Sequence, residues 1–383
     1  MKIKTLMLSM LMAVAGTMFT ACGSDDDDNK QPVVNPTEGT TVTPSNYDRY
    51  QQTVNQIVRT AKSSDKVILV VAFGSTWEQA YDTFDKVVDD YKAQFPGWDV
   101  FLSFSSAICI NNARAGENVE PRDFFDPEHF LTAIGLCGYK QIVVQSLQVI
   151  PGEEYRRVRD SYVKDFMNNR NGDFTEDYMH SIDKQVVVGV PLMGEDNDVD
   201  KLAAVLNDES DIKAVINAGG IVAFMGHGNP ENYDYYGANI RYTELEQALQ
   251  LINPGHYYVG TVDMEDNYVG NVIDRMKDDG ITSGKVQLYP LMSIAGDHAH
   301  NDMADADDEE SWYSVMNAAG YQAEAYETTF TEACWKQHKS GDSYIPALAE
   351  RSKVRALWIQ HTREAIAKLG TDDALSTPTT AVE

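Results

Sequence analysis

Three polar side chains stand where a parallel sheet would place its chemistry. His227 lies in Met225-Gly226-His227-Gly228, just past an apolar run that ends at Met225. Asp263 follows Tyr257 to Val262, and His298 follows Leu288 to Ile294 in Ala295-Gly296-Asp297-His298. In parallel α/β sheets ligands bind outside the carboxyl ends of the strands, so residues at successive strand ends can meet over one site. Two imidazoles and a carboxylate make a partial shell for a borderline divalent metal, Co2+, Fe2+, Ni2+ or Zn2+, with positions left for substrate. Singly, each histidine reads as a hydrogen-bonded structural residue, so the case for metal rests on the set. Gly226, Gly228 and Gly296 allow tight turns and close approach of backbone to a ligand. Asp297, beside His298, is expected to orient or charge-support the site.

The elements that must hold these residues alternate along the chain. Strands are expected over 66–73, 99–105, 141–147 and 185–190, and again over 220–225, 257–262 and 286–294. Helical periodicity covers 78–95, 128–137, 153–168, 199–206, 243–252, 267–276 and 312–319, and a long helix over 345–369 closes the fold. Alternating β and α elements imply parallel sheets with helices on both faces. Val71-Ala72-Phe73-Gly74 echoes Val222-Ala223-Phe224-Met225-Gly226, and the stretch from Leu147 to Glu154 echoes that from Leu291 to His298. The fold class is therefore α/β, two similar doubly wound halves facing a central cleft. The halves are expected over 47–195 and 196–370, the second carrying the metal site.

The ends read differently. Lys2 and Lys4 precede an apolar run from Leu6 to Phe19, then Thr20-Ala21-Cys22-Gly23. A basic start, a short apolar run and small residues before a cleavage point make an export signal over 1–21. The run is shorter than the roughly 20 apolar residues of a membrane span. Cys22, directly after the small residues, resembles the lipobox of bacterial lipoproteins; a plain signal with a chance cysteine is the alternative. Asp25 to Asp28 resemble the acidic export tag of some surface lipoproteins, or are a solvated spacer. Residues 22–46 are polar and should form a flexible tether, and 371–383 a flexible tail. The expected protein is exported and held at the envelope by its N-terminal lipid alone.

Composition narrows the partners. With 59 acidic against 31 basic residues and a net charge of −28, the chain repels nucleic acid and carries no basic stripe to rescue such a role. A homo-oligomer is compatible with the sequence. Cys109, Cys137 and Cys334 match no zinc or redox spacing and allow one disulfide at most; Cys109 and Cys137, in apolar surroundings, read as buried structural thiols.

Longer motifs give a resemblance. Val71-Ala72-Phe73-Gly74-Ser75-Thr76, Val144-Gln145-Ser146-Leu147, Gly152-Glu153-Glu154-Tyr155 and Phe224-Met225-Gly226-His227-Gly228 are four of them. The longest runs from Pro290 through Gly296-Asp297-His298-Ala299, Asn301-Asp302-Met303-Ala304 and Asp307-Asp308 to Ser311-Trp312. Over 66–368 the chain resembles the anaerobic-pathway cobalt chelatases, which insert Co2+ into sirohydrochlorin and share a fold with ferrochelatases. The resemblance implies a metal-binding general base at His227 and a second histidine ligand at His298. It puts Asp263 where the family has a glutamate, one methylene shorter; Glu265 is the alternative ligand. It implies tetrapyrrole contacts at Phe73, Gly74, Ser75, Gln148, Glu154 and Gly228. Glu153 and Glu154 either face the cleft or begin a helix, where acids suit the dipole.

The chain also departs from that family. Gln148 replaces a histidine, Asn229-Pro230-Glu231-Asn232 replaces a histidine-richer stretch, and Asn111 and Asn112 stand where basic residues are expected, leaving Arg114. Sirohydrochlorin carries eight carboxylates, whereas haem, with two propionates, asks for fewer cations. Two functions follow. One is a chelatase that inserts Co2+; the other is a lipid-anchored haem- or tetrapyrrole-binding protein for haem-iron acquisition.

Overall fold

The computed structural model describes residues 46–116, 121–330 and 341–375. Helix α1 (Asn46–Ala61), not expected from the sequence, buries Val54 and Val58. It is followed by β1 (Lys66–Ala72), α2 (Gln79–Gln94), β2 (Asp99–Phe104), α3 (Ala107–Ala115), α4 (Pro127–Leu136) and β3 (Gln141–Ser146). The helix expected over 153–168 forms as α5 (Glu153–Arg156) and α6 (Lys164–Met167), joined by a π-helical stretch, Arg157–Val163. Next come α7 (Glu176–Ser181), β4 (Val186–Gly189), α8 (Asp198–Asn207), α9 (Ser210–Asn217) and β5 (Ile221–Gly226). Then α10 (Ile240–Ile252), β6 (Tyr257–Thr261), α11 (Val269–Asp278), β7 (Lys285–Leu291), α12 (Trp312–Ala318) and β8 (Gln322–Ala325) follow. A short antiparallel pair, β9 (Thr328–Thr329) with β10 (Ser343–Tyr344), precedes α13 (Ser352–Ala367).

Local chemistry sets the helix ends. Ser106 and Asp126 cap α3 and α4 by accepting from the backbone N–H groups of Cys109 and His129, and Pro127 occupies the first turn of α4, where no donor is missed. α3 stops at Gly116, left-handed at φ 65°. α13 begins at Ser352 rather than at 345 because the residue before Pro346 disfavours helix. The chain there instead makes a single 3-10 turn, Leu348–Glu350, in which Leu348 N–H donates to Met292 O at 3.0 Å and Ala349 N–H to Ser293 O at 2.9 Å.

The first sheet has the order β2-β1-β3-β4 and the second β6-β5-β7-β8, with every pair parallel. One order used twice gives two similar doubly wound halves facing a central cleft. Val67 to Val71 are buried along β1, as a central strand covered on both faces requires. In each half the chain reverses direction across its central strand, so β1 with β3, and β5 with β7, flank a switch point.

The two sheets share a core. One apolar cluster runs from Val70, Phe84 and Leu147 to Phe224, Tyr242 and Tyr289. α13, late in the sequence, packs on the first sheet: Thr362 Oγ1 donates to Gln145 Oε1 at 2.8 Å, and Trp358 Nε1 to Gln148 O at 3.2 Å. Within the stretch 371–375, residues 371–373 are exposed, while Ala374 is buried and Leu375 O accepts from Arg159. Cys109 is buried and Cys137 half-buried, both as free thiols. Residues 1–45, with the export signal, Cys22 and nearly all of the tether, lie outside the described residues, as do Cys334 and 376–383. No helix among the described residues is long and apolar enough to cross a membrane.

Candidate active site

Strand order decides which loops meet. β5 lies between β6 and β7, with Gly226 registered against Thr261 on one side and Leu291 on the other. His227 leaves β5 directly, Asp263 follows β6, and His298 follows β7 at the head of a π-helical turn, Ala299–Met303. The His227 and His298 imidazoles meet edge to face, with centroids 4.7 Å apart and planes at 86°. Asp263 Oδ2 lies 3.6 Å from His227 Nδ1, and the Asp263 N–H donates to His227 O at 2.9 Å. Gly228 turns at φ +78°, where a Cβ would stand 2.9 Å from the Met264 backbone N. Only glycine lets the β6 loop close on His227 in that way.

Hydrogen bonding fixes which imidazole nitrogens are free. His227 Nδ1 is 2.8 Å from Gly228 O, and His298 Nδ1 is 2.6 Å from Asp302 Oδ2. With each Nδ1–H donating to an oxygen, each ring in its neutral form has its lone pair on Nε2, the arrangement usual for metal-binding histidines. Burial holds His227 below its ordinary titration range, and the neighbouring His298 adds to this, against weaker opposing effects of Gly228 O, Asp263 and Asp302. That holds although 35% of its side chain is open to solvent. Burial also pushes His298 down, but the hydrogen bond and charge of Asp302, with Asp263 and Asp297, outweigh it and raise the group overall. Two adjacent imidazoles are thus driven apart, one toward the neutral form and one toward the cation, which separates acid from base.

Asp302 rather than Asp297 orients His298. It sits four residues on, in the π-helical turn that follows His298. Asp297 turns away and accepts from Trp77 Nε1 at 2.6 Å. Glu265 is exposed, whereas Asp263 is half-buried against His227. Among the described residues no three His, Cys, Asp or Glu side chains form a ready-made metal cluster. Asp263 lies on the Nδ1 side of His227, so the three donors adjoin without converging on one point.

The first half contributes its own switch point. Phe73 is 40% exposed at the end of β1, an apolar ring offered to solvent. Gly74, at φ +110°, leaves no room for a side chain, since a Cβ would lie 2.7 Å from that of Cys109. Ser75 is buried and accepts from the Trp77 N–H at 3.0 Å. Gln148, beyond β3, takes the Ser146 hydroxyl on Oε1, while its buried Nε2 has no partner among the described residues. Glu153 and Glu154 do start a helix, and Glu154 Oε2 also accepts from Ser105 Oγ at 3.2 Å. Burial, with Glu153 close by, raises the Glu154 carboxyl above its ordinary range against Arg157 and Ser105. Arg114 is committed elsewhere: it lies 3.7 Å over the Tyr50 ring, donates to Phe124 O at 2.5 Å and pairs with Asp123 at 3.6 Å.

A twice-built α/β fold with a polarised histidine pair at one switch point is the framework of a chelatase-like enzyme. The chain belongs to the cobalt chelatase (CbiK) family, whose model matches residues 66–367. It is 28% identical over 307 residues to the sirohydrochlorin cobaltochelatase of Salmonella typhimurium, covering 79% of this chain and 96% of that one. It is 29% identical over 256 residues to the sirohydrochlorin cobaltochelatase CbiKC of Nitratidesulfovibrio vulgaris, covering 67% and 80%. Among solved structures, SirB from Bacillus subtilis with Fe3+ aligns at a TM-score of 0.47 and 14% identity, over 80% of this chain and 96% of that one.

Proposed function

We propose that this protein is a tetrapyrrole metallochelatase that inserts Co2+ into sirohydrochlorin, with His227, Asp263 and His298 receiving the metal and His227 acting as general base. The observation that carries this reading is the meeting of the two imidazoles at the β5/β7 switch point, centroids 4.7 Å apart, each with its Nδ1 held by an oxygen and with Asp263 3.6 Å from His227. Insertion must strip water from a dication and remove two pyrrole N–H protons. A neutral His227, with Nδ1–H held by Gly228 O, offers Nε2 either to the metal or to a leaving proton. Asp263 offsets the cation's charge beside it. His298 must yield its proton to take metal, and Asp302 keeps its ring oriented while it does. Phe73, Gly74, Ser75, Gln148, Glu154 and Gly228 would border the macrocycle.

The metal ion is a substrate here, and Fe2+, Ni2+ or Zn2+ are alternatives to Co2+ for the same donors. The same proposal places the mature protein at the bacterial envelope, lipidated at Cys22. A second reading is a haem- or tetrapyrrole-binding lipoprotein for haem-iron acquisition, one that removes iron from haem. Arg114 favours it: this cation, in the last turn of α3, is bound to Tyr50, Phe124 and Asp123, which leaves it no charge to spare for a polycarboxylate.

Purified full-length protein offered sirohydrochlorin with Co2+, and separately haem, and followed by absorbance, tests both readings. Insertion is expected, and His227→Ala should slow it by about a hundredfold or more. Insertion that persists in that variant would sink the mechanism. Stable haem binding without metal exchange would favour the carrier.

A further inference from the structure

We propose that Trp77 is a positioning residue, which fixes His298 from the opposite half by gripping the residues on either side of it; this rests on the metal-binding role proposed for His298. The indole Nε1–H donates to Asp297 Oδ1 at 2.6 Å, and Thr76 Oγ1 stands 3.4 Å from both oxygens of the same carboxylate. The Trp77 ring lies flat on the His300 imidazole, with centroids 3.6 Å apart and planes within 6°. His300 is itself fixed at both nitrogens, Nδ1 at 2.8 Å from Gly296 O and Nε2 at 2.7 Å from Gln79 Nε2. One short segment after β1, residues 76–79, therefore holds Asp297 and His300, the residues before and after the His298-Ala299 pair.

The geometry explains why a grip is needed. His298 begins a π-helical turn, a wide turn that lacks the regular i to i+4 ladder. Asp302 orients the His298 ring but belongs to the same turn, so it cannot fix that turn relative to the cleft. Trp77 can, because it comes from the bend between β1 and α2, in the other half. A flat ring stack and an indole donor restrain rotation as well as distance. Trp77 touches none of the three metal donors; its backbone N–H donates to Ser75 Oγ at 3.0 Å, and its indole reaches His298 through Asp297 and His300.

The test uses the full chain and two readouts. In protein with 15N-labelled histidines, Trp77→Ala should move the His298 side-chain resonances, and Trp77→Phe, which keeps a ring on His300 but loses the donor, should move them less. Co2+ titration, read from its visible absorption, should show about tenfold weaker binding in Trp77→Ala. Trp77→Ala added to His298→Ala should cost nothing further, because both changes act through one imidazole. Unmoved His298 resonances, or the same loss of affinity in the presence and absence of His298, would overturn the proposal. If the resonances move and coupling holds but no tetrapyrrole is metallated, the chelatase reading fails and the positioning role of Trp77 stands.

Discussion

Asp302→Asn isolates the charge that separates the two histidines. Asparagine can still accept from His298 Nδ1–H, so the hydrogen bond at 2.6 Å survives while the charge is lost. Unit charges about 4 Å apart attract by about 1 kcal/mol in water and about 4 kcal/mol at an effective dielectric of 20. The His298 and Asp302 side chains are 30% and 46% exposed, which screens the pair. About 1–2 kcal/mol is then the expected size. A dication on Nε2 lies farther from the carboxylate but carries twice the charge, so the loss of Co2+ affinity should be about tenfold. The pH dependence fixes the sign. In the native protein His298 titrates above its ordinary value, because Asp302, Asp263 and Asp297 outweigh the burial that pushes it down. Protons therefore compete with metal there from a higher pH. Asp302→Asn lowers that titration, so its affinity deficit should be largest above neutrality and narrow in acid. Co2+ titrations at a series of pH values, with NMR titration of the imidazole alongside, measure both effects. A variant with unchanged His298 titration, or a deficit that grows in acid, would refute the reasoning.

Other outcomes are expected. Gly228→Ala forces a side chain into a φ of +78° and against Met264, and should cost about 1–3 kcal/mol in urea unfolding while also weakening metal binding. Asp198 is buried; burial raises its carboxyl, but His361 Nε2 at 3.2 Å, Lys201 and the Glu195 N–H outweigh this and hold it below the ordinary range. A depressed carboxylate stabilises the fold above the ordinary carboxylate range and ceases to do so as pH falls through its lowered value. Asp198→Ala should therefore cost about 3–5 kcal/mol near neutrality and flatten the acid limb of the stability curve, as read by urea melts at several pH values. Cys22→Ala should abolish incorporation of labelled fatty acid; retained label would sink the lipoprotein proposal.

Much of this arrangement was legible in sequence because burial writes directly into residue type. The continuous apolar runs at Val67 to Val71 and Ile221 to Met225 mark strands covered on both faces, and the polar residues just past such runs mark strand ends. His227, Asp263 and His298 could be picked out on that basis alone. The echo between the two halves foretold one strand order used twice. Local rules served less well where tertiary contact overrides periodicity. Residues 345–351 continue an apolar pattern yet form only a single 3-10 turn, pinned to Met292 and Ser293, and α1 was hidden by a polar sequence that buries only Val54 and Val58.

Tertiary structure alone decided which strand ends are neighbours and what each side chain faces. The order β6-β5-β7 sets β5 beside β7, which brings two histidines far apart in sequence to 4.7 Å. Nothing in the chain order says that Asp302 rather than Asp297 takes the His298 ring, because that depends on a π-helical turn and on Trp77 reaching across from the other half. The opposed titration of two identical residue types has the same origin. Proton affinity follows burial and neighbouring charge, and both are properties of the folded arrangement rather than of the residue.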